Sequence, residues 1–400
     1  MAKNKYQKGI SANILLLGIV SLLNDLSSEM ILPILPLFIT TLGGGGLIAV
    51  GLIGGLQESI SSILKVLSGF LSDRTGKRKI FVFSGYLTSA AFKLLLSFSK
   101  MWQHVLIFIS FERVGKGLRT APRDAIIADS MPEERGKGFG IHRALDTAGA
   151  IAGSVVVLLL LWFLWSDLEQ IAQQIAFYKS TILIAAIIAF LSLVPLYFVK
   201  EGKRTPQKIS LQISLKKLPK RLKLFIAVAT VFALANFSYM FFILKAADAF
   251  KPIMPVKESI ALVILLYILF NFFYAVLAIP FGTLSDRIGK RKVLIAGYSL
   301  YSLTCLGFAF SDSLAAFLVL FPLYGVDYAM IDGNQRAFVS DLSTEDIRAT
   351  ALGTYHTAIG LIALPASLIA GFLGTITPTL TFLFGCVVSI ISVILFVLHQ

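Results

Sequence analysis

The chain has 400 residues, of which 56% are apolar and 14% are charged, and its mean hydropathy is +0.83. Soluble domains carry about 25% charged residues, so this composition excludes an ordinary soluble protein and predicts an integral membrane protein. The net charge of +14 indicates basic loops facing an anionic membrane surface, and no nucleic-acid partner is expected. The two cysteines and four histidines do not cluster, so we expect neither a metal site nor a cofactor.

Twelve stretches are long enough to span a bilayer, which takes about 20 largely apolar residues. The first stretch is too long for the apolar core of a cleavable signal peptide, about 7–15 residues, and is therefore a span. The predicted spans are 10–40, 46–71, 80–99, 103–123, 138–165, 177–199, 222–249, 258–283, 293–311, 313–337, 349–373 and 377–398.

A basic segment with two prolines, 200–221, separates the sixth span from the seventh. It is predicted to be a cytoplasmic linker with a surface helix near 211–218. We therefore predict an all-α integral membrane protein of two pseudo-symmetric six-helix bundles, an N-terminal one over 1–199 and a C-terminal one over 222–400.

Basic residues are concentrated in every second loop, including 74–79, 287–292 and the linker, and also in the N-terminal segment. The positive-inside rule places these loops in the cytoplasm. With an even number of spans, both termini are then cytoplasmic. The predicted location is the cytoplasmic membrane, with the lipid bilayer as the surroundings.

One motif occurs twice. Gly69–Lys79 reads Gly-Phe-Leu-Ser-Asp-Arg-Thr-Gly-Lys-Arg-Lys, and Gly282–Lys292 reads Gly-Thr-Leu-Ser-Asp-Arg-Ile-Gly-Lys-Arg-Lys. The offset between the copies is 213 residues (286 − 73), and the same offset pairs Arg123 with Arg336. A second half that restates the first in this way indicates a duplicated architecture.

The repeated motif, placed between spans 2 and 3 and between spans 8 and 9, resembles the signature of the major facilitator superfamily. The resemblance covers essentially the whole chain. Arg113–Gly117 in span 4 also resembles the family pattern Arg-x-x-Gln-Gly, with Lys116 in place of Gln, and Gly149–Ser154 partly resembles the antiporter motif, with Ser154 in place of its proline. The resemblance implies a central site between the halves and alternating access by rocking of the halves.

The motif also has a physical interpretation of its own. An aspartate at the end of a span can accept hydrogen bonds from the start of a neighbouring helix or pair with an arginine. We expect this contact to exist in one packing of the helices and to be absent in another. Such a contact is a conformational latch, and the alternative is a basic turn that only sets topology. Arg119 and Arg123 are the predicted partners of Asp73. The full set of latch residues is Gly69, Asp73, Arg74, Gly76, Arg119, Arg123, Asp286, Arg287 and Gly289.

Ionisable side chains inside spans cost at least about 2.5–3.5 kcal/mol each, so each is a functional candidate. Asp25 and Glu29 in span 1 are four residues apart and share one helix face, which suits proton or cation handling. In span 5, Asp146 lies four residues after His142 and three after Arg143. Two interpretations stay open: a proton site tuned by its neighbours, or a simple ion pair within the helix. The candidates for proton coupling are Asp25, Glu29, Glu58, Asp146 and His142.

Span 4 carries a stripe of charge at steps of four, three and four residues: Glu112, Lys116, Arg119 and Arg123. No lipid-facing helix carries such a stripe, so it faces protein or water. Its deeper cations can bind an anionic substrate group or hold a carboxylate. For the uncharged polar residues, hydrogen bonding between helices is the alternative. The substrate-binding candidates are Arg113, Lys116, Asn236, Tyr239, Asn271, Tyr274, Asp327 and His356.

No nucleotide-binding or hydrolase motif occurs, so neither ATP-driven pumping nor enzymatic activity is expected. The sequence predicts a monomeric secondary transporter of a small organic solute with an anionic or metal-chelating group, coupled to protons. The alternatives are a proton-coupled multidrug exporter, a metal-ion exporter and a transport-dead receptor or scaffold.

Overall fold

The computed structural model describes residues 11–132, 134–202, 218–344 and 347–398. The described chain is helical and contains no strand. Its helices are α1 Ala12–Ile31, α2 Leu35–Thr41, α3 Gly46–Thr75, α4 Arg78–Leu96, α5 Trp102–Ser130, α6 Arg135–Leu164, α7 Ile171–Leu191, α8 Leu193–Tyr197, α9 Lys220–Ala235, α10 Met240–Phe250, α11 Val256–Ile288, α12 Lys290–Phe310, α13 Leu314–Asp341, α14 Arg348–Ile376 and α15 Pro378–Leu398.

Eleven helical segments of the described chain are long and apolar enough to cross a membrane, with α1 and α2, α7 and α8, and α9 and α10 each forming one span. The twelfth span is α5, whose charge stripe lowers its hydropathy and which packs between α3 and α4. The predicted all-α membrane fold is thereby confirmed. The bounds 1–199 and 222–400 stay a prediction, and the surface helix predicted near 211–218 lies almost entirely outside the described residues.

The helix that contains predicted span 4 extends beyond the predicted end of the span. We expected the span to end at residue 123, whereas α5 continues through Pro122 to Ser130. The extension is stabilised by ion pairs: Arg123 contacts Asp124 at 2.9 Å, and Asp129 contacts Arg78 at 2.7 Å.

Spans 1 and 7 are broken helices, although both were predicted to be continuous. The first break lies at 32–34 around Pro33, which has no N–H to continue the helix, and the second lies at 236–239. The two breaks meet, because the Tyr239 hydroxyl donates to the Leu32 carbonyl at 3.1 Å. Non-helical backbone at this depth is tolerated because it is buried in protein rather than exposed to lipid.

The halves pack against each other through α3 with α14 and through α6 with α11, a pairing that the duplication makes symmetric. Small residues allow the close approach of α3 and α14. A Cβ on Gly55 would lie 2.8 Å from the Leu364 Cα, and a Cβ on Gly371 would lie 2.6 Å from the Leu47 carbonyl oxygen. The repeated motif lies at one end of the helices, which we call the basic end. The glycine contacts lie away from that end. The halves therefore meet tightly at the opposite end.

Gly55→Ala tests this close approach. The added methyl group would force α3 and α14 apart, and overpacking costs about 1–3 kcal/mol. Gly333→Ala in α13 is the matched control, because its Cβ meets no atom within 4 Å, and both changes gain the same helix propensity of about 1 kcal/mol. We expect a lower melting temperature in detergent for Gly55→Ala alone. Spin labels at Ile171 and Ile253 should also report a wider opposite end in that variant. Identical behaviour of the two variants would contradict the proposed packing.

Candidate functional site

A cavity of about 450 Å³ lies between the two halves, within the size range of about 300–1,000 Å³ typical of small-molecule sites. Its wall is built mainly from α3 and α5 of the first half and from the 236–239 break, α13 and α14 of the second half. It occupies the middle of the spans and reaches towards the basic end. The charged residues of the wall are Glu58, Lys65, Arg113, Lys116, Asp332 and Arg336.

The charges on this wall are unevenly paired. Arg113 lies 3.1 Å from a Glu112 carboxylate oxygen, and Arg336 lies 2.6 Å from Asp332. Within the described chain, no carboxylate oxygen lies within 4 Å of the ammonium group of Lys65 or Lys116. The wall therefore presents two cations that have no close counter-charge.

Beside the cavity, charged side chains from α1, α4, α5 and α6 interact inside the first half. We call them the first-half charge cluster. It contains four carboxyl groups and four cationic groups, and the proximity of opposite charges reduces the cost of burial in a membrane. Arg123 and Arg143, which also interact with Asp146, adjoin it. Its members are Asp25, Glu29, Lys93, Glu112, Arg113, Lys116, Arg119 and Asp146.

Lys93 is the member that sequence analysis missed. Its side chain is only 1% exposed, and its ammonium group donates to the hydroxyls of Ser27 and Ser28, each at 2.9 Å. It also interacts electrostatically with Glu112 and Asp25. The sequence did contain a signal for it, because Lys93 is an ionisable residue inside predicted span 3, and ionisable residues inside the other spans were treated as functional candidates.

The carboxyl groups of α1 face two different partners. Asp25 lies against Asp146, which also accepts a hydrogen bond from the Ser21 hydroxyl at 2.6 Å. Glu29 accepts a hydrogen bond from the Tyr267 hydroxyl of the second half at 2.8 Å. Asp25 therefore faces the interior of the first half, whereas Glu29 connects the two halves.

Span 5 forms the ion pair that was one of the two expectations. Arg143 lies 3.0 Å from Asp146. His142 is buried, and its Nε2 atom has no hydrogen-bond partner among the described residues. His142 and Asp146 of α6 therefore belong to the interior of the first half and not to the cavity wall.

The predicted binding and coupling residues divide between the cavity wall and its surroundings. Those on the wall are Glu58, Arg113, Lys116, Asn236, Tyr239 and His356.

Three predicted ligands lie outside the wall. The Asn271 amide donates to the Tyr267 carbonyl of its own helix at 3.3 Å, and Tyr274 donates to Asp332 at 3.0 Å from behind the wall. Asp327 is fully buried, and neither of its carboxyl oxygens has a hydrogen-bond partner in the described chain. These three side chains lie outside the cavity wall in this conformation, and their contact with a substrate stays a prediction.

The wall also contains polar residues that sequence analysis did not assign to it. Lys65 and Arg336 are ionisable residues within spans, so the cost of burial was an available signal. Gln335 donates to the Tyr298 hydroxyl at 2.7 Å and accepts from the Tyr355 hydroxyl at 2.5 Å. No sequence pattern indicates that side-chain network.

The first copy of the motif is held by an arginine within the motif itself. Arg78 is 7% exposed and contacts Asp73 at 2.5 Å and Asp129 at 2.7 Å, which joins α3, α4 and α5. Glu201 accepts hydrogen bonds from the backbone N–H groups of Arg78 and Lys79 at the start of α4, where a negative charge is favourable.

The predicted partners of Asp73 lie elsewhere. Arg119 donates to the Ser89 hydroxyl at 2.5 Å and lies over the Tyr86 ring, and Arg123 pairs with Asp124. Asp73 contacts Arg78 instead, at 2.5 Å. The expectation that they pair with Asp73 is therefore wrong in this conformation.

The second copy makes different contacts. Lys290 lies 2.9 Å from both Asp286 and Asp341, and Arg291, which corresponds to Arg78, donates to the Phe396 carbonyl at 2.6 Å. The Asp286 side chain is 67% exposed, compared with 37% for Asp73. The second copy is therefore the more solvated of the two.

The glycines of the motif have distinct roles. Gly76 and Gly289 have φ angles of 67° and 98°, which disfavour any residue with a side chain. A Cβ on Gly69 would lie 3.2 Å from the Ala121 Cβ, whereas one on Gly282 would meet no atom within 4 Å. Close helix approach therefore applies only to the first copy. The side chains of Arg74 and Arg287 are exposed.

The chain has relatives among known proteins. The Major Facilitator Superfamily model matches residues 17–257 and 246–400. The uncharacterized MFS-type transporter MJ1317 of Methanocaldococcus jannaschii is 56% identical over 97% of this chain and 95% of its own length. The multidrug resistance protein MdtH of Shigella dysenteriae is 29% identical over 32% of this chain and 31% of its own. A crystal structure of a mutant of the nucleoside transporter NupG superposes with a TM-score of 0.80 at 14% identity, covering 97% of this chain and 99% of that chain, a likeness of fold alone.

The asymmetry between the motif copies predicts unequal effects of one substitution. Asp73→Asn removes a carboxylate from the buried Arg78, at a cost of about 1–2 kcal/mol after allowance for partial exposure. Asp286→Asn is the matched control, and its exposed pair contributes at most about 0.5 kcal/mol. We expect a lower melting temperature and altered spin-label distances between Ile171 and Ile253 for Asp73→Asn. Equal effects of the two substitutions would contradict the distinction.

Proposed function

The chain belongs to the major facilitator superfamily, and from that premise we propose that it carries a small organic anion across the membrane by alternating access between its halves. Members of this family are transporters and not enzymes, so the chain is a multi-pass membrane transporter. The nature of the substrate and the coupling to protons are the parts that we propose from the chemistry of the cavity.

The observation that carries the anionic substrate is the pair of cavity-lining lysines, Lys65 and Lys116, which have no carboxylate oxygen within 4 Å in the described chain. Lys65 is half-buried and Lys116 is exposed to the cavity, and a cation at this depth of a membrane protein favours a counter-charge beside it. A carboxylate or a similar group on the substrate supplies that counter-charge through charge-assisted hydrogen bonds. Arg113, beside Lys116 on the same wall, adds donors suited to a planar carboxylate.

The packing of the halves supports an inward-facing conformation. Gly55 and Gly371 bring the halves together away from the basic end, and Tyr267 and Tyr239 cross between them to Glu29 and Leu32. The cavity reaches the other way, towards the motif loops. With those loops in the cytoplasm, as the positive-inside rule predicts, the cavity faces the cytoplasm.

We infer proton coupling from the opposite charges that interact in the first-half charge cluster. Protonation of Asp25 or Glu29 removes one negative charge and leaves a surplus cation near Arg113 and Lys116. That surplus strengthens the binding of an anion. Protonation of Glu29 also changes its hydrogen bond with Tyr267, which favours one arrangement of the halves over the other.

Export of amphipathic drugs is a second candidate function. It is supported by the aromatic side chains on the cavity wall and by the partial similarity to the multidrug resistance protein MdtH. The two functions differ in what the ligand must carry. A multidrug site accepts neutral or cationic apolar molecules, whereas the proposed site requires a negative charge.

Replacing Lys116 tests the requirement for charge. A hydrogen bond to a charged group contributes about 1.5–3 kcal/mol, so Lys116→Gln should weaken carboxylate binding about tenfold to a hundredfold. The methyl ester of the same ligand should bind equally to both proteins. Lys100→Gln, an exposed loop lysine, is the control. Dissociation constants from calorimetry on purified protein give the answer, and an equal loss for acid and ester would remove Lys116 from the anion site.

Replacing Asp25 tests the coupling. We expect Asp25→Asn to retain substrate binding and exchange but to lose accumulation driven by a pH gradient, because the neutral amide cannot bind and release the proton. Glu29→Gln should be milder, and exposed Asp248→Asn should resemble the wild type. The measurement is proton-driven uptake and counterflow, side by side, in proteoliposomes. Accumulation by Asp25→Asn under a pH gradient alone would exclude Asp25 as the coupling residue.

A further inference from the structure

The two halves contribute different chemistry to the cavity wall. The first half contributes small polar and charged side chains from α3 and α5, including Lys65 and Lys116, and no aromatic residue among those described. The second half contributes every aromatic residue of the described wall. They are Phe232, Phe237, Tyr239, Tyr301, Tyr328 and Tyr355.

We infer that the substrate is an aryl carboxylate, whose anionic group binds the cations of the first half and whose ring lies against the aromatic wall of the second half. The inference rests on the proposed transport of an organic anion and adds the nature of the substrate's apolar part. A purely aliphatic acid would satisfy Lys116 but would leave the aromatic wall without a matching partner.

The two tyrosines that reach furthest into the cavity are held in fixed orientations. Tyr239 is half-buried, its hydroxyl donates to the Leu32 carbonyl at 3.1 Å, and its ring lies 5.8 Å from that of Tyr267. Tyr328 is half-buried, and its ring packs edge-on against Tyr324 at 5.2 Å. Rings fixed in this way offer a rigid surface, which lowers the ordering cost of binding.

Aromatic rings favour other rings in offset or edge-to-face geometry, beyond the gain from buried area alone. The aliphatic residues of the second-half wall are few, mainly Ile331, Ile359 and Ala363. Of the six rings, those of Tyr239 and Tyr328 are half-buried and the other four are buried, so these two tyrosines form the aromatic surface that a ligand meets. The composition of the wall therefore favours a planar, unsaturated body over a flexible chain.

The division of the wall has a mechanistic consequence. A ligand that carries both a carboxylate and a ring contacts both halves at once, whereas a ligand with only one of these groups contacts one half. Only the first kind stabilises an arrangement in which the halves close around the ligand. The requirement for two groups thus acts as a specificity filter for transport.

The test uses three ligands of similar length and the full chain purified in detergent: 3-phenylpropionate, 3-cyclohexylpropionate and 3-phenylpropionamide. Calorimetry should find 3-phenylpropionate to be the tightest binder. The cyclohexyl acid should bind about three- to tenfold more weakly, because it lacks the ring interaction, and the amide at least about tenfold more weakly, because it lacks the charge.

Variants assign these differences to the two faces. Tyr328→Leu should abolish the preference for phenyl over cyclohexyl, and Lys116→Gln should abolish the preference for acid over amide. Tyr197→Leu, at an exposed site at the end of α8, is the control and should change neither preference. If Tyr328→Leu does not fold, Tyr239→Leu probes the same face, and the comparison of ligands on the wild type needs no variant.

Each result has a definite meaning. Equal affinity for the two acids overturns the aromatic inference and leaves anion transport standing. An amide that binds as tightly as the acid overturns the proposed anionic substrate and favours the multidrug function. Absence of binding by 3-phenylpropionate overturns the aryl carboxylate class, and the comparison of acid and ester with Lys116→Gln then judges anion transport separately.

Discussion

The structure depends on one constraint: ionised groups inside a membrane must be neutralised by other protein groups or by water. The first half holds eight ionisable side chains beside a cavity, four carboxyl groups and four cations that interact with one another. This requirement fixes the position of α5, the most polar span, between α3 and α4. It also fixes the rotation of α5, because its charged stripe must face the interior. The apolar faces of the other spans are then free to meet lipid.

The second half shares the backbone plan and the motif but not this chemistry. At the offset of 213 residues, Lys93 corresponds to Leu306 and Lys116 to Ala329. Phenylalanine and tyrosine rings fill the corresponding interior, as in the stacked pair of Phe242 and Tyr324, whose centroids are 4.2 Å apart. Duplication therefore preserved helix packing, which depends on small residues and apolar surface. The two interiors diverged into one that holds charge and one that holds rings.

The sequence predicted those features of the fold that depend only on neighbouring residues along the chain. Hydropathy predicted the spans, and the spacing of charges predicted that α5 carries a single charged stripe that faces protein or water. Partners across the fold were beyond this reasoning, because they depend on how helices rotate and cross. The stripe indicated that Arg119 faces protein, but not that it lies over the Tyr86 ring instead of meeting Asp73. The break at 236–239 was missed for a similar reason, since side chains of other helices replace the lost helical hydrogen bonds: the Ser238 N–H donates to the Ser367 hydroxyl, and the Tyr301 hydroxyl donates to the Ala235 carbonyl.

Arg113 and Lys116 belong to both parts of the proposed mechanism. Each lines the cavity, and each interacts with buried carboxyl groups of the first-half charge cluster, including Glu29. A proton and a substrate therefore need not touch in order to influence each other, because both change the charge balance around the same two cations. Glu29 in turn reaches the second half through Tyr267. In the proposed mechanism, this series of contacts, from substrate to cation to carboxyl group to the contact between the halves, couples the binding of protons and substrate to the packing of the two bundles.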